Sequence, residues 1–189
     1  MKTQIVKLLF LSLFLVAINS HAQRKNTKTE TSITTAKGHK KVSRSAVTYK
    51  TPKKRVTAVR KLPNKKVVRH NGQNYYYSNN RYYIFSGGRY TVIAPRIGFR
   101  VRTLPIGHRR IIHNNRTYFF FDGVFYNTVD NEYEVIEPEI GTIVYELPEA
   151  YERVEIHGQT YYEYANILYK KIQIDGTRAY EVVGLIEIE

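Results

Sequence analysis

Gln159-Thr160-Tyr161-Tyr162-Glu163-Tyr164-Ala165-Asn166-Ile167-Leu168-Tyr169-Lys170 reads as an aromatic strand, a two-residue turn and a second aromatic strand. The same pattern occurs twice upstream, at Gln73 to Tyr83 and at Arg116 to Tyr126. Tyr75, Tyr118 and Tyr161 are spaced 43 residues apart, as are Tyr83, Tyr126 and Tyr169. A fixed period of that size marks repeated supersecondary units.

Outward from these hairpins the surrounding sequence repeats in the same order. Leu62-Pro63, Leu104-Pro105 and Leu147-Pro148 each precede a short β-branched strand (Lys66 to Val68, Arg110 to Ile112, Arg153 to Ile156). A turn follows at Asn71-Gly72, Asn114-Asn115 or His157-Gly158, dipeptides that tolerate the positive φ of tight hairpins. After the aromatic hairpin comes a strand of strict alternation, as in Glu132-Tyr133-Glu134-Val135, with apolar residues on one face and carboxylates on the other. Pro95 and Pro138 close that strand in two units, and a last strand is expected after Gly98, Gly141 and Gly184. In the third unit Tyr180-Glu181-Val182 stands four residues late, so Ile172 to Thr177 reads as a lengthened hairpin.

No stretch keeps a helical period. The expected fold is therefore all-β, with three tandem meander repeats of about 43 residues at about 62–103, 104–146 and 147–189. Three units are too few to close a propeller, which favours an open array or small barrels. Glu163 stands where Phe120 and Tyr77 stand in the earlier units, so the last unit is expected to turn a polar face outward. Tyr77 and Phe120 then either form core between units or present an aromatic binding surface.

Met1 to Ala22 has Lys2 and Lys7 before the apolar run Leu8 to Ile18 and ends in Ser20-His21-Ala22, the pattern of a signal peptide cleaved before Gln23. The run is shorter than the roughly 20 residues a spanning helix needs, so no transmembrane segment is expected after cleavage. The absence of Cys excludes disulfides, thiol nucleophiles, zinc–thiolate sites and a lipid-anchored lipoprotein. A periodic or hydrophobic pattern is also missing from residues 23 to about 61, which read as a disordered basic arm before the folded zone, Leu62 to Glu189.

Pro138-Glu139-Ile140-Gly141, Leu147-Pro148 and Gly158-Gln159-Thr160-Tyr161-Tyr162 together resemble the bacterial domain-of-unknown-function family numbered six-five-one-five. That family is built on proline-x-x-glycine, leucine-proline and glycine-x-x-tyrosine-tyrosine motifs. The resemblance covers roughly Leu62 to Glu189 and implies an exported bacterial protein, with no catalytic residues to carry over. Asn115 in place of a turn glycine, and Ala165-Asn166 at the second turn, depart from the pattern.

Charge is distributed unevenly. The chain carries +14 overall, yet residues 31–121 hold 21 Lys and Arg and no acid, while residues 122–189 hold 15 Asp and Glu against four Lys and Arg. Such asymmetry points to a polyanionic partner or to head-to-tail self-association. The residues expected to touch a polyanion are Lys53, Lys54 and Arg55 of the arm, with Arg81, Arg89, Arg96, Arg100 and Arg102 among the tyrosines of the first unit. No metal-ligand spacing joins His70, His108 or His113 to Glu149 or Glu152, and Ser78 and Ser86 lack a nucleophile's setting. The reading is of a periplasmic or secreted, non-enzymatic module without cofactor, binding an anionic envelope polymer or a glycan (lipopolysaccharide, exopolysaccharide or DNA). The alternative is a self-associating surface or matrix protein.

Overall fold

The computed structural model describes residues 40–50 and 57–187, together with the backbone of Ile33–Thr34. The expected leader at 1–22, the remainder of the expected arm, and with it Lys53, Lys54 and Arg55, lie outside the described residues. Apart from one short 3-10 turn, Arg44–Ala46, all the regular structure described is β.

Before the meanders come β1 (Ile33–Thr34), β2 (Lys40–Val42) and β3 (Thr48–Tyr49). The first sheet is built from β4 (Ala58–Val59), β5 (Lys66–His70), β6 (Gln73–Ser78), β7 (Arg81–Ser86) and β8 (Arg89–Ile93). The second comprises β9 (Arg100–Val101), β10 (Arg109–His113), β11 (Arg116–Phe121), β12 (Val124–Val129) and β13 (Glu132–Ile136). The third holds β14 (Ile143–Val144), β15 (Glu152–Ile156), β16 (Gln159–Tyr164), β17 (Ile167–Ile174) and β18 (Thr177–Ile186). In each sheet the last four strands form an antiparallel meander, and the short first strand pairs with the last: β4 with β8, β9 with β13, β14 with β18.

That pairing moves the expected unit boundaries. The strand after Gly98 does not finish the first unit as the 62–103 boundary requires; it opens the second sheet, and the strand after Gly141 opens the third. The cause is the Pro-x-x-Gly stretch. Gly98 N–H donates to Val135 O at 2.8 Å, and Val135 N–H returns a bond to Phe99 O at 2.8 Å. Gly141 and Thr142 repeat this exchange with Val182, again at 2.8 Å. Each Pro-x-x-Gly thus lifts the chain off one sheet and docks it on the closing strand of the next.

Every hairpin inside the meanders closes on two residues of positive φ, the geometry whose twist matches that of paired strands. Asn115 serves there as well as glycine, at φ 59°. Ala165, at φ 51°, has no such excuse and carries a strain of about 1–2 kcal/mol. The late motif in the third unit is absorbed as expected: β17 and β18 run on to a turn at Asp175-Gly176, with a bulge between Leu168 and Tyr169.

Hydrophobic cores lie between consecutive sheets. Tyr75 and Tyr82 of the first sheet pack with Phe99, Val124, Tyr126 and Val135 of the second region. Tyr118, Phe120 and Phe125 of the second sheet pack with Val144, Tyr169, Tyr180 and Val182 of the third. A chain without Trp and with one Met fills these layers with phenols, whose tilted and edge-on pairs add to burial.

The arm is not wholly without structure. Residues 40–50 form a strap over the third sheet: β2 pairs in parallel with β18, β3 pairs antiparallel with β15, and only residues 43–47 separate the two. A strap this short can reach both edges only because the sheet curls until β15 and β18 come close. Composition hid this, since the stabilising contacts are tertiary: Val42, Val47 and Tyr49 pack on Val154, Ile156, Leu168 and Ile186, and Lys50 bridges Glu155 at 2.8 Å. Removing residues 1–50 should therefore lower the midpoint of thermal unfolding by several degrees, because an apolar cluster and two strand edges are uncovered. Removing residues 1–31 alone should leave it unchanged. Equal melting of the two truncations, measured by circular dichroism, would show that the strap contributes nothing.

Candidate functional site

A cleft of about 810 Å³ opens where the three sheets and the strap meet. The strap brings Arg44 and Tyr49 to it, β7 of the first sheet brings Arg81, and the β11–β12 turn of the second brings Asp122. From the third sheet come Glu149, Tyr151 and Glu152 around the start of β15, and Glu163 and Tyr164 at the end of β16. Three phenols, two guanidiniums and four carboxylates thus surround one opening, in the size range of small-molecule and oligomer sites.

Glu163 explains the strained turn beside it. Its carboxylate accepts the Asn166 N–H at 2.7 Å, tying the Ala165-Asn166 turn to β16. The expectation that this glutamate marks a solvated outer face is corrected: its residue is only 8 % exposed and lines the cleft, because the curled sheet and strap cover that side. Its appearance in an otherwise aromatic position was the sequence signal of the site.

Arg81 reaches Asp122 at 3.9 Å and links the first and second sheets across the cleft wall. Both partners are partly exposed, so the pair contributes little to stability and acts mainly to fix position. Burial raises the Asp122 carboxyl above its ordinary range; Arg81 opposes the shift, while Glu149 and Glu146 add to it. The Tyr164 phenol is pushed up to about 12, first by burial and then by the charge of Asp122. Tyr49 is raised by burial and then by Glu163, with Arg44 opposing. Carboxylate charge is felt by each of these groups.

Behind this wall lies a void of about 20 Å³ bounded by Arg81, Asp122, Tyr164, Tyr82 and Tyr126. Tyr126 is 0 % exposed and its hydroxyl has no hydrogen-bond partner. The neighbouring Tyr82 phenol affects its ionisation.

The arginines expected from the sequence to meet a polyanion differ in their surroundings. Arg100 bonds to Glu134 at 2.6 Å and Asp130 at 3.4 Å. Arg102, with its side chain 91 % exposed, reaches Glu132 at 3.5 Å. Arg89 and Arg96 are exposed and have no ion pair among the described residues. Three of the five thus have a carboxylate beside them, supplied by the acidic half of the chain folded against the basic half.

The aromatic-surface reading is corrected too. Phe120 is 2 % exposed and stacks on Phe125 at 4.9 Å within the core between the second and third sheets. Tyr77 is half-buried against Tyr82, its hydroxyl donating to Asn80 at 2.9 Å. Both are inter-sheet packing, because alternation along β6 and β11 turns them toward the neighbouring sheet. His113 ends β10 with its ring 3.0 Å from Ile140 O, and His70 packs edge-on against Phe99. Among the described residues no three His, Asp or Glu converge as metal ligands.

Residues 49–186 match the model of a family described as Family of unknown function (DUF6515), and the chain belongs to that family. No curated protein and no solved structure matches it. The matched span begins at Tyr49, the last residue of the strap's second strand, and ends with β18.

Proposed function

We propose that this family member is an exported, non-enzymatic binding module of the bacterial envelope or its surroundings that holds a glycan in the three-sheet cleft. The observation that carries this is the composition of one opening: Tyr49, Tyr151 and Tyr164 offer flat faces, while Arg44, Arg81, Asp122 and Glu152 offer fixed hydrogen-bond groups. Sugars present that combination of apolar ring faces and hydroxyl edges. All of these groups stand on strands or tight turns, so little ordering would be needed on binding. The leader-like sequence at 1–22 supports export.

Anionic polymers are a second, weaker partner. Lys66, Arg69, Arg89, Arg96 and Arg110 are exposed without a paired carboxylate among the described residues, and the arm adds Lys53, Lys54 and Arg55. Their contribution should be non-specific and salt-dependent.

The test is a glycan array followed by calorimetry on the hits, at low and high salt, with Tyr164→Ala and Arg89→Ala/Arg96→Ala as variants. Cleft binding predicts salt-tolerant retention that Tyr164→Ala abolishes; polyanion contact predicts retention that salt removes and that the arginine variant weakens. Assembly that grows with concentration, with no glycan bound, supports the self-associating alternative and overturns the proposal.

A further inference from the structure

We infer that the cleft takes a cationic sugar, one whose ring carries a primary ammonium group, as in a deacetylated amino-sugar polymer. The inference rests on the glycan reading and specifies its ligand. It starts from a reversal of sign. The chain carries +14, yet among the described residues the cleft wall sets Asp122, Glu149, Glu152 and Glu163 against Arg44 and Arg81, and Arg81 is already beside Asp122. The described part of the lining is thus two charges negative inside a basic protein, which disfavours a polyanion there.

The other lining groups suit an ammonium as well. Tyr49, Tyr151 and Tyr164 line the cleft, and aromatic ring faces attract cations through their quadrupole most strongly where water is excluded. Carboxylates beside such rings accept charge-assisted hydrogen bonds from an ammonium. Burial first, and neighbouring carboxylates after it, shift the Asp122 carboxyl and the Tyr49 and Tyr164 phenols toward their protonated forms. A separate small void beside Arg81, Asp122 and Tyr164 is bordered by the buried Tyr126 hydroxyl, which makes no hydrogen bond. That hydroxyl can accept from an N–H or donate to a hydroxyl, and the void in front of it has room for about one small polar group.

The experiment compares the glucosamine tetramer with its fully N-acetylated counterpart by calorimetry on the full mature chain at neutral pH. The amine form should bind at least about tenfold tighter, the effect of roughly one added charge-assisted hydrogen bond. Glu152→Gln, which leaves the Glu163 turn bond intact, should narrow that ratio to within about threefold without changing the circular dichroism melt. Equal binding of the two tetramers overturns the ammonium inference and leaves the glycan reading standing. Binding of neither, with binding of another neutral oligosaccharide, does the same. No binding of any sugar overturns both.

Discussion

Phe120→Ala should lower the free energy of unfolding by about 3–5 kcal/mol, the range seen when a buried phenylalanine is truncated. The side chain is enclosed between the second and third sheets, stacked on Phe125 at 4.9 Å and packed among Tyr118, Val144, Tyr169 and Tyr180. Truncation would leave a void that two sheets held by many backbone ladders cannot collapse to fill. Were the residue part of an exposed aromatic surface, its loss would move stability by no more than about 0.5 kcal/mol. Urea denaturation separates the two. Against a total stability of about 5–15 kcal/mol, the larger effect takes away a sizeable share of the whole. A loss below about 1 kcal/mol would sink the packing reading.

The same residue shows what a linear reading of the chain can reach. Period and turn chemistry are local, so the hairpins at Asn71-Gly72, Asp122-Gly123 and Ala165-Asn166 were legible, and with them the all-β class. Which sheet a two-residue strand joins is not local. Arg100-Val101 follows the first meander in sequence but pairs with Tyr133 and Glu134, and nothing in its own residues says so. The strap was hidden for the same reason: Val42, Val47 and Tyr49 are sparse among lysines and serines, and only the curled third sheet makes them a continuous apolar strip. The cleft follows from both. Its charges come from the strap, from the first sheet, from a turn of the second and from the third, so no window of sequence contains it. The basic half and acidic half, read as separate zones, turn out to neutralise one another locally at Arg81–Asp122, Arg100–Glu134 and Arg102–Glu132.

Gly123→Ala is the substitution in which fold and cleft should fail together. At φ 82° an alanine costs about 1–2 kcal/mol in backbone strain alone. Here its Cβ would also run into the Tyr164 ring and sit 2.6 Å from Pro148 Cγ, and forcing extra volume into a packed site adds about 1–3 kcal/mol. Gly158→Ala and Gly176→Ala are the controls, since at φ 78° and 75° they carry the same strain with nothing within 4 Å of the new methyl. The excess destabilisation of Gly123→Ala over these controls therefore measures the contact between the second sheet's turn and the third sheet's cleft wall. Relief can come only by swinging Tyr164 or shifting the Leu147-Pro148 loop, and each moves a part of the cleft. So even where the variant remains folded, it should lose sugar binding that the two controls keep. Equal melting of all three variants, with binding intact in each, would mean that the turn and the Tyr164 ring are not in contact and that the sheets do not build the cleft between them.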